Sequence, residues 1–112
     1  MKAADERTPE EAARWASDPS RVMPGEDPET LLVSDAARWV RLYHHLIQVK
    51  DDLLAVAIES LERLPPPGAE EIRGSDLVIL RAERVRFVTR LEFWKARQRE
   101  LEEGALLTPP PP

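Results

Sequence analysis

The first long amphipathic segment spans residues 34–64, where apolar side chains recur with the 3.6-residue period of an α-helix. Its apolar stripe consists of Trp39, Tyr43, Leu46, Leu53, Ala57, Leu61 and Leu64, flanked by Val40, Leu42, Ile47, Leu54 and Ile58. Charged and polar side chains occupy the opposite face, but Lys50 lies within the stripe. The pattern predicts a long helix with one side against a core.

The second long amphipathic segment, residues 75–104, has two apolar faces. One is a heptad-like seam formed by Leu77, Leu80, Arg84, Phe87, Leu91, Trp94, Gln98 and Leu101. The other is a cluster formed by Val78, Ala82, Val85, Phe93 and Ala96. Because one partner helix covers one face, this surplus predicts a second interface, either here or on the flanks of the first long helix.

A proline-rich connection separates the two segments. Pro65, Pro66 and Pro67 end the first helix because proline lacks an amide donor and restricts the residue before it. We expect a turn over residues 65–74 and a second helix over residues 75–103. A connection this short favours two neighbouring helices packed antiparallel.

The two stripes also predict a register for this hairpin. In an antiparallel pair, the residue numbers of two facing positions have a constant sum. With a sum of about 141, large side chains face small ones and polar groups face polar groups. The expected pairs are Leu64 with Leu77, Ala57 with Arg84, Lys50 with Leu91, and Tyr43 with Gln98.

Residues 1–33 precede the hairpin and form what we term the N-terminal arm. Thr8, Pro9 and Glu11 have the pattern of a capping box with proline at the first helical position, which predicts a short helix over residues 9–17. Trp15 is the only large apolar side chain of that helix, so we expect its ring to anchor the arm.

The remainder of the arm contains turn-forming residues, and we expect a linker over residues 18–27. The long helix that follows has possible starts at Pro28 and at Ser34, and a continuous helix from Pro28 is favoured. Beyond Gly104, which is a common helix stop, residues 105–112 are expected to form a flexible proline-rich tail.

Composition and charge restrict the class of protein. The 112-residue chain is 42% hydrophobic and 33% charged, which is typical of a folded helical domain. Its net charge of −5 disfavours nucleic acid as a partner, since phosphate backbones bind basic surfaces. The sequence lacks cysteine, a signal-like apolar start and a membrane-length apolar run, so we expect a cytoplasmic protein without a membrane partner.

The sequence contains no recognisable catalytic or cofactor motif. His44 and His45 lack another histidine one helical turn away, so a metal-dependent enzyme that uses them with Asp52 is a weak alternative. Acidic pairs such as Asp51 and Asp52 are typical of a solvated helix face. We therefore predict that the protein is not an enzyme and that it needs no metal or cofactor.

The second long segment is rich in arginine, and glutamates interleave with the arginines. This mixture favours a solvated face with intrahelical ion pairs. The alternative is a set of contacts to an anion or to a partner, formed by Lys50, Arg84, Arg86, Arg90 and Arg97. Lys50 and Arg84 lie within the predicted seams, where a long side chain can also extend to solvent.

These patterns predict an all-α fold: an antiparallel two-helix hairpin (residues 34–104), the N-terminal arm (residues 1–33) and the tail (residues 105–112). The expected function is a non-enzymatic protein–protein interaction module, regulatory or scaffolding, that pairs into a homodimeric four-helix bundle. The expected interface residues are Val78, Ala82, Val85, Phe93, Trp94 and Trp15. The alternative is a small regulator that binds nucleic acid or a nucleotide through the arginine-rich helix.

Overall fold

The computed structural model describes residues 8–107, which contain four α-helices and no β-strand. The helices are α1 (Pro9–Ser17), α2 (Val33–Leu61), α3 (Pro66–Gly74) and α4 (Asp76–Leu107). Helices α2 and α4 pack against each other as an antiparallel hairpin, and α1 and α3 also contact α4. The prediction of an all-α helical hairpin is confirmed.

The core of the hairpin lies towards one end. It contains Ala36, Trp39 and Tyr43 from α2 and Phe87, Leu91 and Trp94 from α4. The Trp39 and Trp94 rings stack with their centroids 6.3 Å apart, and the Tyr43 and Phe87 rings are 5.9 Å apart. At the other end of the hairpin, Leu53, Val56 and Ile58 of α2 remain exposed. Packing is therefore tight around the aromatic cluster and looser around these α2 side chains.

The predicted register of the hairpin is wrong by about one heptad. Residue numbers sum to 133 for the Lys50–Glu83 ion pair and for the stacked Trp39 and Trp94, rather than to about 141. The expected contact between Tyr43 and Gln98 is also absent, because the Tyr43 hydroxyl binds Glu26. A slide of seven residues returns the same stripes to each other, so the apolar pattern cannot distinguish the two registers.

The expected turn over residues 65–74 is instead a helix, α3. Pro65 is its N-cap, and Pro66 and Pro67 follow in the first turn, where amide groups have no intrahelical partner. The same prolines that end one helix therefore begin the next. Ala69 of α3 is 4% exposed and belongs to the core.

The start of α2 also differs from the favoured prediction. Residues Asp27 to Thr30 form a turn, in which the Thr30 amide donates to the Asp27 carbonyl oxygen at 3.1 Å. Helix α2 then begins at Val33 rather than at Pro28, and it ends at Leu61. The second possible start, Ser34, was therefore close to the observed one.

Helix α4 continues beyond the predicted end at Gly104 and reaches Leu107. A single glycine inside a helix costs only about 1 kcal/mol, which a long helix tolerates. Residues 105–107 of the predicted tail are therefore helical, and residues 108–112 lie outside the described residues.

Helix α1 has the predicted start but not the predicted anchor. The Glu11 amide donates to the Thr8 hydroxyl at 3.1 Å, and the Thr8 amide donates to the Glu11 carboxylate at 3.4 Å, which completes the capping box. The Trp15 ring is 48% exposed, and the Arg21 guanidinium lies 3.2 Å from its centroid. Ala16 is the buried residue, since a small side chain allows α1 to approach α4 closely.

The off-centre core predicts unequal costs for two leucine-to-alanine substitutions. Leu91 is 5% exposed, so Leu91→Ala should lower the free energy of unfolding by about 2–5 kcal/mol. Leu53 is 45% exposed, and Leu53→Ala should cost less than about 1 kcal/mol in dilute protein. Urea denaturation followed by circular dichroism measures both. Equal losses would contradict the described core.

Candidate interaction site

The N-terminal arm follows α4 in the same direction. Pro9 and Ala12 of α1 line a small pocket with Val78, near the start of α4. The carbonyl oxygen of Ala16, at the other end of α1, accepts from Arg86 Nε at 3.1 Å. The arm therefore covers a face of α4 beside the one that receives α2.

Three arginines of α4 hold this arm by its main chain. They are Arg86, Arg90 and Arg97, which lie on one line of the helix because they are four and seven residues apart. Each guanidinium donates to a main-chain carbonyl oxygen, and the acceptors are Ala16 for Arg86, Pro19 for Arg90 and Thr30 for Arg97. The cations expected to contact an anion or a partner thus have acceptors within the chain.

The Glu26 carboxylate is the centre of the arm's attachment. Arg90 donates to one carboxylate oxygen from Nε at 3.1 Å and from Nη2 at 2.6 Å, and the Trp94 indole donates to the same oxygen at 2.6 Å. The other oxygen accepts from the Tyr43 hydroxyl at 2.5 Å and from the Met23 amide at 2.8 Å. The Glu26 side chain has no solvent exposure, and that of Arg90 is 8% exposed.

This network keeps Glu26 charged despite its burial. Burial raises the pKa of a carboxyl group, but the hydrogen bonds from Met23, Tyr43, Trp94 and Arg90 outweigh that effect and lower the pKa of Glu26. Burial, followed by the hydrogen bond to Glu26, raises the pKa of the Tyr43 phenol. Near neutral pH the carboxylate is therefore ionised and the phenol is protonated. Five donors occupy the carboxylate, which makes it a structural tie rather than a free acid or base.

The sequence carried an indirect signal for this network. The indole N–H of Trp94 and the hydroxyl of Tyr43 both lie on predicted core faces, and such groups require a partner when buried. Glu26 lies next to Gly25, whose φ of 83° belongs to a tight turn that glycine adopts readily. Turn-forming residues predict only a linker here, so the sequence alone does not identify Glu26 as a buried acid.

The two seam cations also have partners within the hairpin. Lys50 of α2 binds Glu83 of α4 at 2.9 Å, and Arg84 of α4 binds Asp51 of α2 at 2.5 Å. The Lys50 side chain is 16% exposed, whereas the Arg84 side chain is 41% exposed. These paired charges favour the observed register over one shifted by a heptad.

The interface expected on α4 is only partly available. Trp94 has no exposed surface, so its place among the interface residues is wrong, because its ring faces α2 and the arm. Val78 and Ala82 are half-buried, and Val78 lines a pocket with Pro9 and Ala12 of α1. Val85 is 56% exposed and Phe93 is 37% exposed. The Phe93 ring meets Trp94 edge-on at 5.2 Å, so it also shields the Glu26 network.

A more extended apolar surface lies on a flank of α2. It consists of Leu42, Leu46, Val49, Leu53 and Val56, whose spacings alternate between four and three residues. We call this row the α2 seam. Val49, Leu53 and Val56 are 38%, 45% and 61% exposed, respectively. Alternating spacings of four and three place side chains in a single line, which is the pattern that mediates helix pairing in coiled coils.

The alternative metal site at His44 and His45 is not assembled in the described residues. His44 and His45 are exposed on α2. Within residues 8–107, no group of three or more histidine, aspartate or glutamate side chains is arranged to hold a metal ion. None of the helices described has the length and apolar character required to cross a membrane.

Substitution of Glu26 tests the proposed role of its carboxylate. Glu26→Gln leaves Arg90 buried without its counter-charge, so the free energy of unfolding should fall by about 3–5 kcal/mol. Trypsin should also cleave the arm faster, since the arm is then held less tightly. The exposed residue Glu29 provides the matched control, because Glu29→Gln should change stability by less than about 0.5 kcal/mol. Equal unfolding midpoints for the two variants would contradict the described network.

The lowered pKa of Glu26 predicts a particular acid dependence. The ionised carboxylate stabilises the folded state above its ordinary unfolded pKa of about 4.3. This contribution disappears as the pH falls through the lower folded pKa. The stability advantage of the wild type over Glu26→Gln should therefore be constant near neutral pH and shrink below about pH 4.3. A difference that stays constant down to pH 2 would contradict the pKa shift.

Comparisons with protein-family models, with curated proteins and with solved structures find no match to this chain. A function is therefore inferred from the surfaces and contacts described above.

Proposed function

We propose that this chain is a non-enzymatic helical-hairpin interaction module that self-associates through the α2 seam. The observation that carries the proposal is the exposed row of Val49, Leu53 and Val56 on one flank of α2. A partner helix can bury a continuous row of apolar side chains in one contact, and this burial lowers the free energy of the pair. Isolated exposed apolar residues offer no such contact. A regulatory or scaffolding role is consistent with such a surface.

The direction of the α2 seam supports assembly into a bundle. At about 100° per residue, the seam is rotated by about 90° from the side of α2 that carries Ala36, Trp39 and Tyr43. A helix in a four-helix bundle has two neighbours in about this arrangement. Helix α4 is one such neighbour, and we propose that the α2 seam receives the other from a second molecule.

The arginine-rich helix supports the alternative function less well. Arg86, Arg90 and Arg97 have acceptors in the N-terminal arm, and the chain carries a net charge of −5. Binding of nucleic acid or a nucleotide would need cations that are available at the surface. No specific observation favours that alternative.

Charged substitutions on two helices test the proposal. Leu53→Asp introduces a carboxylate into the α2 seam, whereas Val85→Asp introduces one at a comparably exposed apolar position on α4. Sedimentation velocity across a concentration series should show a dimer for the wild type and for Val85→Asp. The dissociation constant should rise at least about tenfold for Leu53→Asp, because a charge is costly in an apolar interface.

Circular dichroism must show the same helix content in all three proteins. A wild type that remains monomeric at the highest concentration would contradict self-association. Dissociation by Val85→Asp but not by Leu53→Asp would move the interface to α4 and contradict the role of the α2 seam.

A further inference from the structure

Four charged or titratable side chains border the α2 seam. They are Arg38, His45, Asp52 and Glu59, which follow one another at intervals of seven residues. All four are exposed. Their character changes along the helix, since the first two are basic residues and the last two are acidic. A row with this polarity is complementary to a second copy of itself in the reverse direction.

We infer that the α2 seam binds the α2 seam of a second copy in an antiparallel arrangement, with the numbers of facing residues in the apolar layers summing to 95. This inference rests on the proposed self-association and specifies its geometry. Leu46 then faces Val49 of the second copy, and Leu42 faces Leu53 of the second copy. Val49 and Leu53, two of the exposed side chains of the seam, then lie in layers between the two helices.

The bordering charges select this register. In antiparallel helix pairs, positions just outside the apolar layers face their equivalents on the other helix. Arg38 then faces Glu59 of the second copy, and His45 faces Asp52 of the second copy. Twofold symmetry forms each pair twice. Arg38 and Glu59 each have a partner on their own helix, half-buried Asp35 at 2.6 Å and exposed Arg63 at 2.8 Å, and ion pairs at the surface contribute little stability.

Helix overlap supports the same register. Helix α2 spans residues 33–61, so its midpoint is residue 47. An antiparallel pair whose facing numbers sum to 95 has its twofold axis beside that midpoint, and the two helices overlap along their full length.

The neighbouring registers and the parallel orientation fit less well. A slide by one heptad in one direction places Asp52 against Asp52 of the second copy, which brings like charges together. A slide in the other direction places Leu53 against Asp35 of the second copy. In a parallel pair, the four bordering residues of the two copies would lie on opposite sides of the interface, so Arg38 could not meet Glu59 of the second copy.

Reversal of the bordering charges tests the register. Arg38→Glu and Glu59→Arg should each raise the dimer dissociation constant about tenfold, because each replaces two attractive pairs with two repulsive ones. The double variant restores opposite charges and should return the dissociation constant to within about threefold of the wild type. Arg41→Glu is the matched control, since Arg41 is exposed and lies away from the α2 seam, and it should have no effect.

Sedimentation velocity and circular dichroism on the full chain provide the measurements. A double variant that remains as weak as the single variants would overturn the antiparallel register. Tighter association of Asp52→Ala would also overturn it in favour of the register that opposes two Asp52 side chains. If the wild type does not dimerise, or if Leu53→Asp has no effect, the proposed function fails instead.

Discussion

The buried ion pair between Glu26 and Arg90 is the interaction on which the arrangement of the arm depends. Glu26 belongs to the arm, Tyr43 to α2, and Arg90 and Trp94 to α4, so one carboxylate joins three parts of the chain. A buried ion pair seldom stabilises a fold more than apolar side chains of the same size would. Removal of one member is nevertheless costly, because it leaves the other charge buried without a partner. Its hydrogen bonds also have fixed directions, which an apolar contact lacks. The pair therefore specifies where the arm lies against the hairpin.

Helix α4 serves as the common support for the rest of the molecule, because α1, α2 and α3 all contact it. Its aromatic side receives α2, and its arginine side receives the arm. This use of two sides explains the surplus of apolar and basic positions along α4. Helix α2, in contrast, is covered on the side that faces α4 and remains open along its flank. The open flank, rather than the second face of α4, then becomes the stronger candidate for assembly.

The parts of the fold that depend on local patterns could be predicted from the sequence. The capping box at Thr8 and Glu11 depends on four neighbouring residues, and the helical stripes depend on a single period. The register could not be predicted, because a heptad shift preserves the stripes and only contacts such as Lys50 with Glu83 separate the alternatives. The Glu26 network was also missed, since its members are up to 68 residues apart. Long-range polar contacts of this kind leave no periodic signal.

The arginines of α4 bind carbonyl oxygens of the arm, and every residue type supplies a carbonyl oxygen in its main chain. These hydrogen bonds therefore depend little on which side chains the segment carries. Over evolutionary time, selection would act on the length and path of residues 18–32 more strongly than on most of their identities. Glu26 would be an exception, because its carboxylate accepts hydrogen bonds directly from Arg90.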